Sequence, residues 1–343
     1  MRKRPRPTAT TRARSSSSTI CAVAVLALAV LLSSMTAHAS WRARADSLFS
    51  EADLRFSHGN YGDAADLYAL TIDAVESNAG ASPAAYFANL AARSLFLMAR
   101  SHEHLKEWES ALVGYSLSLT ELSEVEDLIR LRLAACHAGM DEPDLARGEL
   151  RTVIDDGVDT AFDLPAILEL AGLYEETDDY DMALQWYRLF LAEAESYDQR
   201  ALAHYRIGRA YEKRGDEEAA SRSYATAVDD FARSRHSHDA LKRGRRISRA
   251  FTDRYHQGLV LYNRKLYKDS AEFFTHYIRH DERKEFEHEA SYFLGRSHQR
   301  LRNFRTATRA YEDATEFGPD AEYYDLAWSK LAYCRRASGR LKE

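Results

Sequence analysis

An all-α solenoid of stacked helical hairpins is the fold the sequence predicts, and three observations carry that prediction. A small residue stands four positions before an aromatic in four segments: Ala183 and Tyr187, Ala220 and Tyr224, Ser270 and Phe274, Ala307 and Tyr311. A further set of small residues, Ala171, Gly208, Gly258, Gly295 and Ala332, marks partner segments. Both sets recur at 37 residues, from Ala171 to Gly208, Gly258 to Gly295 and Gly295 to Ala332, and again from Ala183 to Ala220 and Ser270 to Ala307. Four-residue spacing puts both members of a step on one helix face. A Gly or Ala lets two helix backbones approach, and the aromatic one turn later fills the space beyond the contact. No single hairpin buries enough apolar surface to stand alone, so the hairpins must stack.

The N-terminus precedes the array. Arg2, Lys3, Arg4, Arg6, Arg12 and Arg14 lead into an apolar run from Ile20 to Leu32, and Ala37-His38-Ala39 offers the small residues a signal peptidase reads. Residues 1–39 therefore read as a secretory signal peptide, and the protein as exported to the periplasm or cell envelope. The apolar run is shorter than the roughly 17 to 25 residues a spanning helix needs. An uncleaved inner-membrane anchor over residues 20–36 is the alternative, and it would be the chain's one membrane contact. Cys21 opens the apolar stretch, where a lipid-carrying cysteine would have to follow it, and no paired arginines abut the run.

Weaker copies of the hairpin come first in the array, around Ala52, Gly59, Tyr61, Ala64 and Tyr68, then Ala99, Trp108, Ala111 and Tyr115. The copy around Ala134, Ala146 and Leu150 is the poorest: a leucine replaces the aromatic, and Pro143 stands at the start of its second helix, where proline is tolerated. Gly59, Gly215, Gly318 with Pro319, and Gly339 mark turns or helix ends. Two spacings are long. The first excess falls in the loop-like Ser77-Asn78-Ala79-Gly80-Ala81-Ser82-Pro83, the second between Phe231 and Phe251. The sequence thus divides into acidic N-terminal repeats over 40–232, a basic linker or extra helix over 233–250, and C-terminal repeats with a capping helix over 251–343. Trp328, Leu331, Ala332 and Gly339 give the last unit only a first helix and a turn, either a cap or the start of a longer array. Cys136 and Cys334 occupy matching places in first helices five units apart, too distant to bridge in a stacked array, and read as buried thiols.

The hairpins from Ala203 to Ala227, and from Gly295 through Phe304, Ala307, Tyr311, Ala314 and Pro319, resemble the tetratricopeptide repeat. The resemblance covers the chain from residue 45 onward and implies a right-handed superhelix of about seven repeats plus a terminal helix. The family's usual period is 34 residues, so units of 37 imply longer helices or turns. The resemblance also implies a concave groove lined by first helices. Its inward places here would be Tyr205, Arg209 and Lys213, then Tyr255, Leu259 and Tyr262, then Tyr292, Arg296 and Arg300, then Tyr333 and Arg336. Tyrosine brings a flat face with a hydroxyl and arginine a planar donor fork, a pairing that suits an extended peptide or a sugar polymer such as peptidoglycan. Aromatics stand where some family members carry a carboxylate-clamping lysine, which puts that partner class in doubt.

Charge is divided along the chain. Residues 40–199 hold 11 Lys and Arg against 31 Asp and Glu, whereas residues 200–343 hold 30 against 22. In a solenoid, sequence order is spatial order, so a partner of mixed charge or a second copy could exploit the split. Lys242, Arg246 and Arg249 share one helical stripe in the densest basic stretch and form a candidate anion site, against the plainer reading of a solvated face. Export disfavours nucleic acid as the partner.

Chemistry is scarce. No glycine-rich phosphate loop, His-Glu-x-x-His helix or Gly-x-Ser-x-Gly elbow occurs, so no cofactor and no catalytic residue is expected. His276 and His280 lie one helical turn apart, but spacing dictates no third ligand, so no metal is expected. An export signal followed by an α-helical superhelix is also the layout of soluble lytic transglycosylases. Their catalytic lobe needs a glutamate followed by serine; Glu76-Ser77, Glu109-Ser110 and Glu195-Ser196 all lie within or beside repeat helices. The expected function is therefore an exported scaffold that binds a protein or envelope polymer in its groove, with the non-catalytic superhelical part of such an enzyme as the alternative.

Overall fold

Each small-to-aromatic step becomes a helix-to-helix contact in the computed structural model, which describes residues 41–78, 84–155, 161–248 and 251–339. The expected signal peptide over 1–39, the alternative anchor over 20–36 and Arg249 lie outside the described residues. Among the described residues the structure is all-helical, with no strand and no helix long and apolar enough to cross a membrane.

The chain divides into two units, Met1–Val153 and Ile154–Glu343. The first contains α1 (41–57), α2 (Tyr61–Glu76), α3 (Ala84–Leu105), α4 (Trp108–Glu121), a single 3-10 turn (Ser123–Val125), α5 (Glu126–Gly139) and nearly all of α6 (Pro143–Asp155). The second contains α7 (Asp163–Glu176), α8 (Tyr180–Glu193), α9 (Tyr197–Arg214), α10 (Glu217–Asp229), α11 (Arg235–Ile247), α12 (Arg254–Asn263), α13 (Tyr267–His280), α14 (Glu287–Arg300), α15 (Phe304–Thr315) and α16 (Tyr324–Ala337). Among the described residues seven hairpins result, α1–α2, α3–α4, α5–α6, α7–α8, α9–α10, α12–α13 and α14–α15, with α11 and α16 outside any hairpin.

The hairpin seam is built from a small residue on the first helix and an aromatic 16 positions later on the second. Ala52 and Tyr68, Ala99 and Tyr115, and Ala171 and Tyr187 are all fully buried. Where the small residue is glycine, the approach leaves no room for a Cβ. One added at Gly208 would lie 2.6 Å from the Tyr224 ring, at Gly295 2.7 Å from Tyr311, and at Gly258 2.9 Å from Phe274. Ala332 of α16 holds the equivalent place but is exposed, because no second helix among the described residues covers it.

Every hairpin also closes with the same backbone lock. The residue after the turn donates its N–H to a carbonyl five residues back: Asn60 to Arg55, Glu107 to His102, Glu142 to His137, Asp179 to Tyr174, Asp216 to Tyr211, Leu266 to Leu261 and Asn303 to His298, each at 2.9 Å. This is the Schellman pattern, and it requires a left-handed residue between helices. Glycine supplies it at Gly59 and Gly215, but Lys106, Asp141, Asp178, Lys265 and Arg302 take positive φ as well.

Both long spacings acquire a structural reason. The first is partly absorbed by α3, which runs to 22 residues where α7 and α12 have 14 and 10. The second is the insertion of α11. It packs on α9 and α10 as a first helix would, with Ala240, Leu241 and Gly244 buried and Gly244 set against the Phe251 ring. Cys136 and Cys334 are free, buried and in separate units. Burial, then the charge of Glu103, pushes the Cys136 thiol up to about 12.

α12 starts on a polar cluster rather than a glycine turn. Asp253 caps it, accepting from the His256 N–H at 2.8 Å, and its other carboxylate oxygen meets His256 Nδ1 at 2.8 Å, with Asp229 3.7 Å from the same ring nitrogen. Thr252 donates to Asp229. Burial alone would lower the His256 pKa, but the Asp253 hydrogen bond and the charges of Asp253, Asp229 and Asp230 outweigh it, and the net shift is upward. A histidine raised on folding contributes stability that is complete below its unfolded value of about 6.5 and is lost as pH rises through the folded value. The stability advantage of the native chain over His256→Gln should therefore be larger at pH 5.5 than at pH 8.5 in urea titrations. An advantage that grows with pH would overturn the assignment.

Candidate functional site

The first helices of the second unit present a repeating polar ladder. In three of its hairpins the seam tyrosine of the second helix donates its hydroxyl to a side chain 12 residues earlier, four past the small residue of the first helix; α13 carries Phe274 at that place. Tyr187 donates to Glu175 at 2.7 Å, Tyr224 to Glu212 at 2.5 Å and Tyr311 to Gln299 at 2.7 Å. In the first unit Tyr115 donates to Glu103 at 2.5 Å, and Tyr68 donates to Asp53 by a 15-residue variant of the same contact. Burial first, then the carboxylate, holds the Tyr115, Tyr187 and Tyr224 hydroxyls far above the usual tyrosine range, so they remain donors at any physiological pH.

Each of the three glutamates is neutralised by a cation from the helix that packs next to it as a first helix. Arg132 meets Glu103 at 3.4 Å, Arg209 meets Glu175 at 2.6 Å, and Arg243 meets Glu212 at 3.0 Å. Lys213 adds a second cation to Glu175 at 3.3 Å. Glu175 is itself only 2% exposed, so this charge is affordable only because it is paired and hydrogen-bonded.

The expected groove residues separate into three groups. Tyr255 and Tyr292 are buried: Tyr255 stacks on Phe286 with ring centroids 4.6 Å apart, Tyr292 on Tyr323 at the same separation. Both pack between hairpins, so their rings are closed to a partner. Tyr262 is half-buried between the edges of Tyr267 and Phe293, and Tyr205 is half-buried beside Tyr224 and His236; Leu259 is half-buried too. Arg209 and Lys213 are engaged by Glu175.

The third group faces solvent. Arg300, Tyr333 and Arg336 are exposed. Arg296 is half-buried, donates to the Tyr292 hydroxyl at 3.0 Å and lies against that ring. Arg296, Arg300 and Tyr333 converge on a cavity of about 330 Å³, completed by Gln299, Arg302, Phe304 and Lys330. Phe304 meets Tyr333 edge to face at 6.2 Å. Arg336 does not line it. Sequence reasoning missed Arg302, Lys330 and the ladder acids; the polar residue four past Ala99, Ala171, Gly208 and Gly295 was the available signal for Glu103, Glu175, Glu212 and Gln299.

The basic stripe is part of α11, where Lys242 and Arg246 are exposed and Lys242 lies 3.9 Å from Asp239. Arg243 turns inward to Glu212. His276 and His280 are exposed on α13 with ring centroids 4.8 Å apart and share a cavity of about 430 Å³ with His298 of α14. Among the described residues no three His, Cys, Asp or Glu side chains are grouped to hold a metal ion.

Comparison with known proteins bears on the fold. Residues 120–243 match the model of the tetratricopeptide repeat-like domain. Among solved structures, the C-terminal part of a TPR repeat-containing protein from Cytophaga hutchinsonii is 14% identical, with 82% of this chain and 99% of that one covered and a TM-score of 0.46. A tetratricopeptide repeat protein from Parabacteroides merdae is 12% identical, covering 84% and 98%, with a TM-score of 0.44. BtubC from P. vanneervenii is 18% identical, covering 60% and 80%, with a TM-score of 0.43. No curated protein matches the chain.

Proposed function

We propose that this tetratricopeptide repeat protein is a non-catalytic scaffold, exported to the cell envelope, that holds an acidic segment of a protein partner along the first helices of its second unit. The observation that carries the reading is the contrast along those helices. From α7 to α11 the inward cations are neutralised by Glu175 and Glu212, whereas on α14 and α16 Arg296, Arg300 and Lys330 face a shared cavity beside the exposed Tyr333. Side chains presented from rigid helices need no backbone ordering on binding, and arginine and tyrosine are the residue types that most often anchor a protein partner. Export is supported by the basic and apolar leader with its Ala37-His38-Ala39 site.

The test is affinity purification from envelope extract of the native host, where the mature chain should begin at Ser40. Arg300→Ala with Tyr333→Ala and Arg336→Ala should weaken capture of the main partner at least tenfold with helical circular dichroism unchanged. Retained capture would move the site off this face. Equal sedimentation of the native and triple-variant chains with purified peptidoglycan would remove the polymer as the groove ligand.

A further inference from the structure

The ladder's glutamates end at α9: the same place is Tyr262 in α12 and Gln299 in α14. Glu103, Glu175 and Glu212 each accept a tyrosine hydroxyl and neutralise an arginine; at the same place in α14 stands Gln299, which accepts from Tyr311 at 2.7 Å but carries no charge. The cations nevertheless continue. Arg296 stands one residue past Gly295 as Arg209 stands one past Gly208, and Lys330 stands two before Ala332 as Arg132 stands two before Ala134. The result is a cavity of about 330 Å³ lined by Arg296, Arg300, Arg302 and Lys330, with Gln299, Phe304 and Tyr333 and no carboxylate. None of the four cations forms an ion pair among the described residues, whereas Arg335 of the same helix α16 is paired with Glu312 at 2.8 Å. Like charges that line one cavity repel one another, and an external anion relieves that repulsion.

We propose that this cavity is an oxyanion site for a phosphoryl group, left open because the rungs that would face Arg296 and Lys330, Tyr262 and Gln299, carry no charge. A single carboxylate would balance one cation; a phosphoryl dianion balances two, and its several oxygens match the donor forks of three guanidinium groups. Lys330 adds a point charge from the opposite helix. Gln299 keeps the tyrosine hydrogen bond that locks the hairpin without supplying the negative charge that would close the site from within. Phe304 and Tyr333 form an apolar wall that fits whatever carries the phosphoryl group. The assignment goes beyond the scaffold reading and fails separately from it, because its probes need no protein partner.

The experiment is isothermal titration calorimetry on the mature protein at 50 mM and 150 mM salt. The probes are inorganic phosphate, acetate, and the peptides Ala-phosphoserine-Ala and Ala-Glu-Ala. Inorganic phosphate should bind saturably and at least tenfold tighter than acetate, and the phosphopeptide likewise against its glutamate counterpart. A phosphopeptide tighter than free phosphate identifies a partner-borne group; equal affinities identify the free ion. Gln299→Glu restores the ladder acid and should abolish phosphate binding with the helical spectrum retained. Arg300→Gln with Lys330→Gln, both on the surface of the cavity, should weaken binding at least tenfold and carries the test if Gln299→Glu does not fold. Absence of saturable phosphate binding, or unchanged affinity in a folded Gln299→Glu chain, overturns the proposal.

Discussion

Tyr224→Ala is expected to destabilise the second unit by about 3–5 kcal/mol, the range for emptying a fully buried aromatic site. The ring fills the seam between α9 and α10, and its hydroxyl occupies one side of Glu212. The partner position permits a stringent check. Gly208→Val alone should cost about 1–3 kcal/mol by overpacking, since even a Cβ there would lie 2.6 Å from the ring. In the Tyr224→Ala chain the valine enters vacated space, so the double variant should be less damaged than the two singles together. Urea unfolding of all four chains, followed by circular dichroism, closes the cycle. Strictly additive losses would mean that the two positions do not share a seam. Amide exchange should quicken first in α9 and α10, because a stacked hairpin communicates mainly with its neighbours.

Glu175→Ala should be comparably severe, at about 3–5 kcal/mol, for a different reason. The carboxylate is buried and is shared by the Tyr187 hydroxyl, Arg209 and Lys213. Its removal strands a buried hydroxyl and leaves a guanidinium without its counter-charge. Lys213 is 41% exposed and can turn to water, so the damage should concentrate on Tyr187 and Arg209. Glu175→Gln keeps an acceptor for the tyrosine and should cost about 1–2 kcal/mol, the difference between a weakened and an absent partner. If alanine and glutamine prove equally harmful in thermal and urea denaturation, charge rather than hydrogen bonding holds this rung.

The seams were legible in the sequence because their physics is local and repeated. A glycine or alanine 16 residues before an aromatic needs no knowledge of distant chain, and Gly208 with Tyr224 and Gly295 with Tyr311 could be paired on spacing alone. The turns were only half legible. Gly59 and Gly215 announce a left-handed residue, but Lys106, Asp141, Asp178, Lys265 and Arg302 adopt the same geometry with nothing in their side chains to show it; the helix pairing on either side imposes it. The groove was less legible still. Helical spacing puts Tyr255 and Tyr292 on the same face as Arg300, yet Phe286 and Tyr323, in the connecting segments and themselves 37 residues apart, lie over their rings and bury them; that shared spacing was the available signal. The cavity draws on α14, the turn after it and α16, so Arg302 and Lys330 could not be joined to Arg296 from any single helix.

The common turn lock bears on how such a chain changes over generations. Because seven hairpins close through the same backbone bond, and five of them tolerate a charged residue in the left-handed place, the joint makes almost no demand on the nucleotide sequence that encodes it. Duplication or loss of a whole hairpin at a turn leaves equivalent hydrogen bonds on either side. What such an event would alter is the order of ladder residues, so recombination at the turns is a route by which a glutamate rung and a glutamine rung could exchange places.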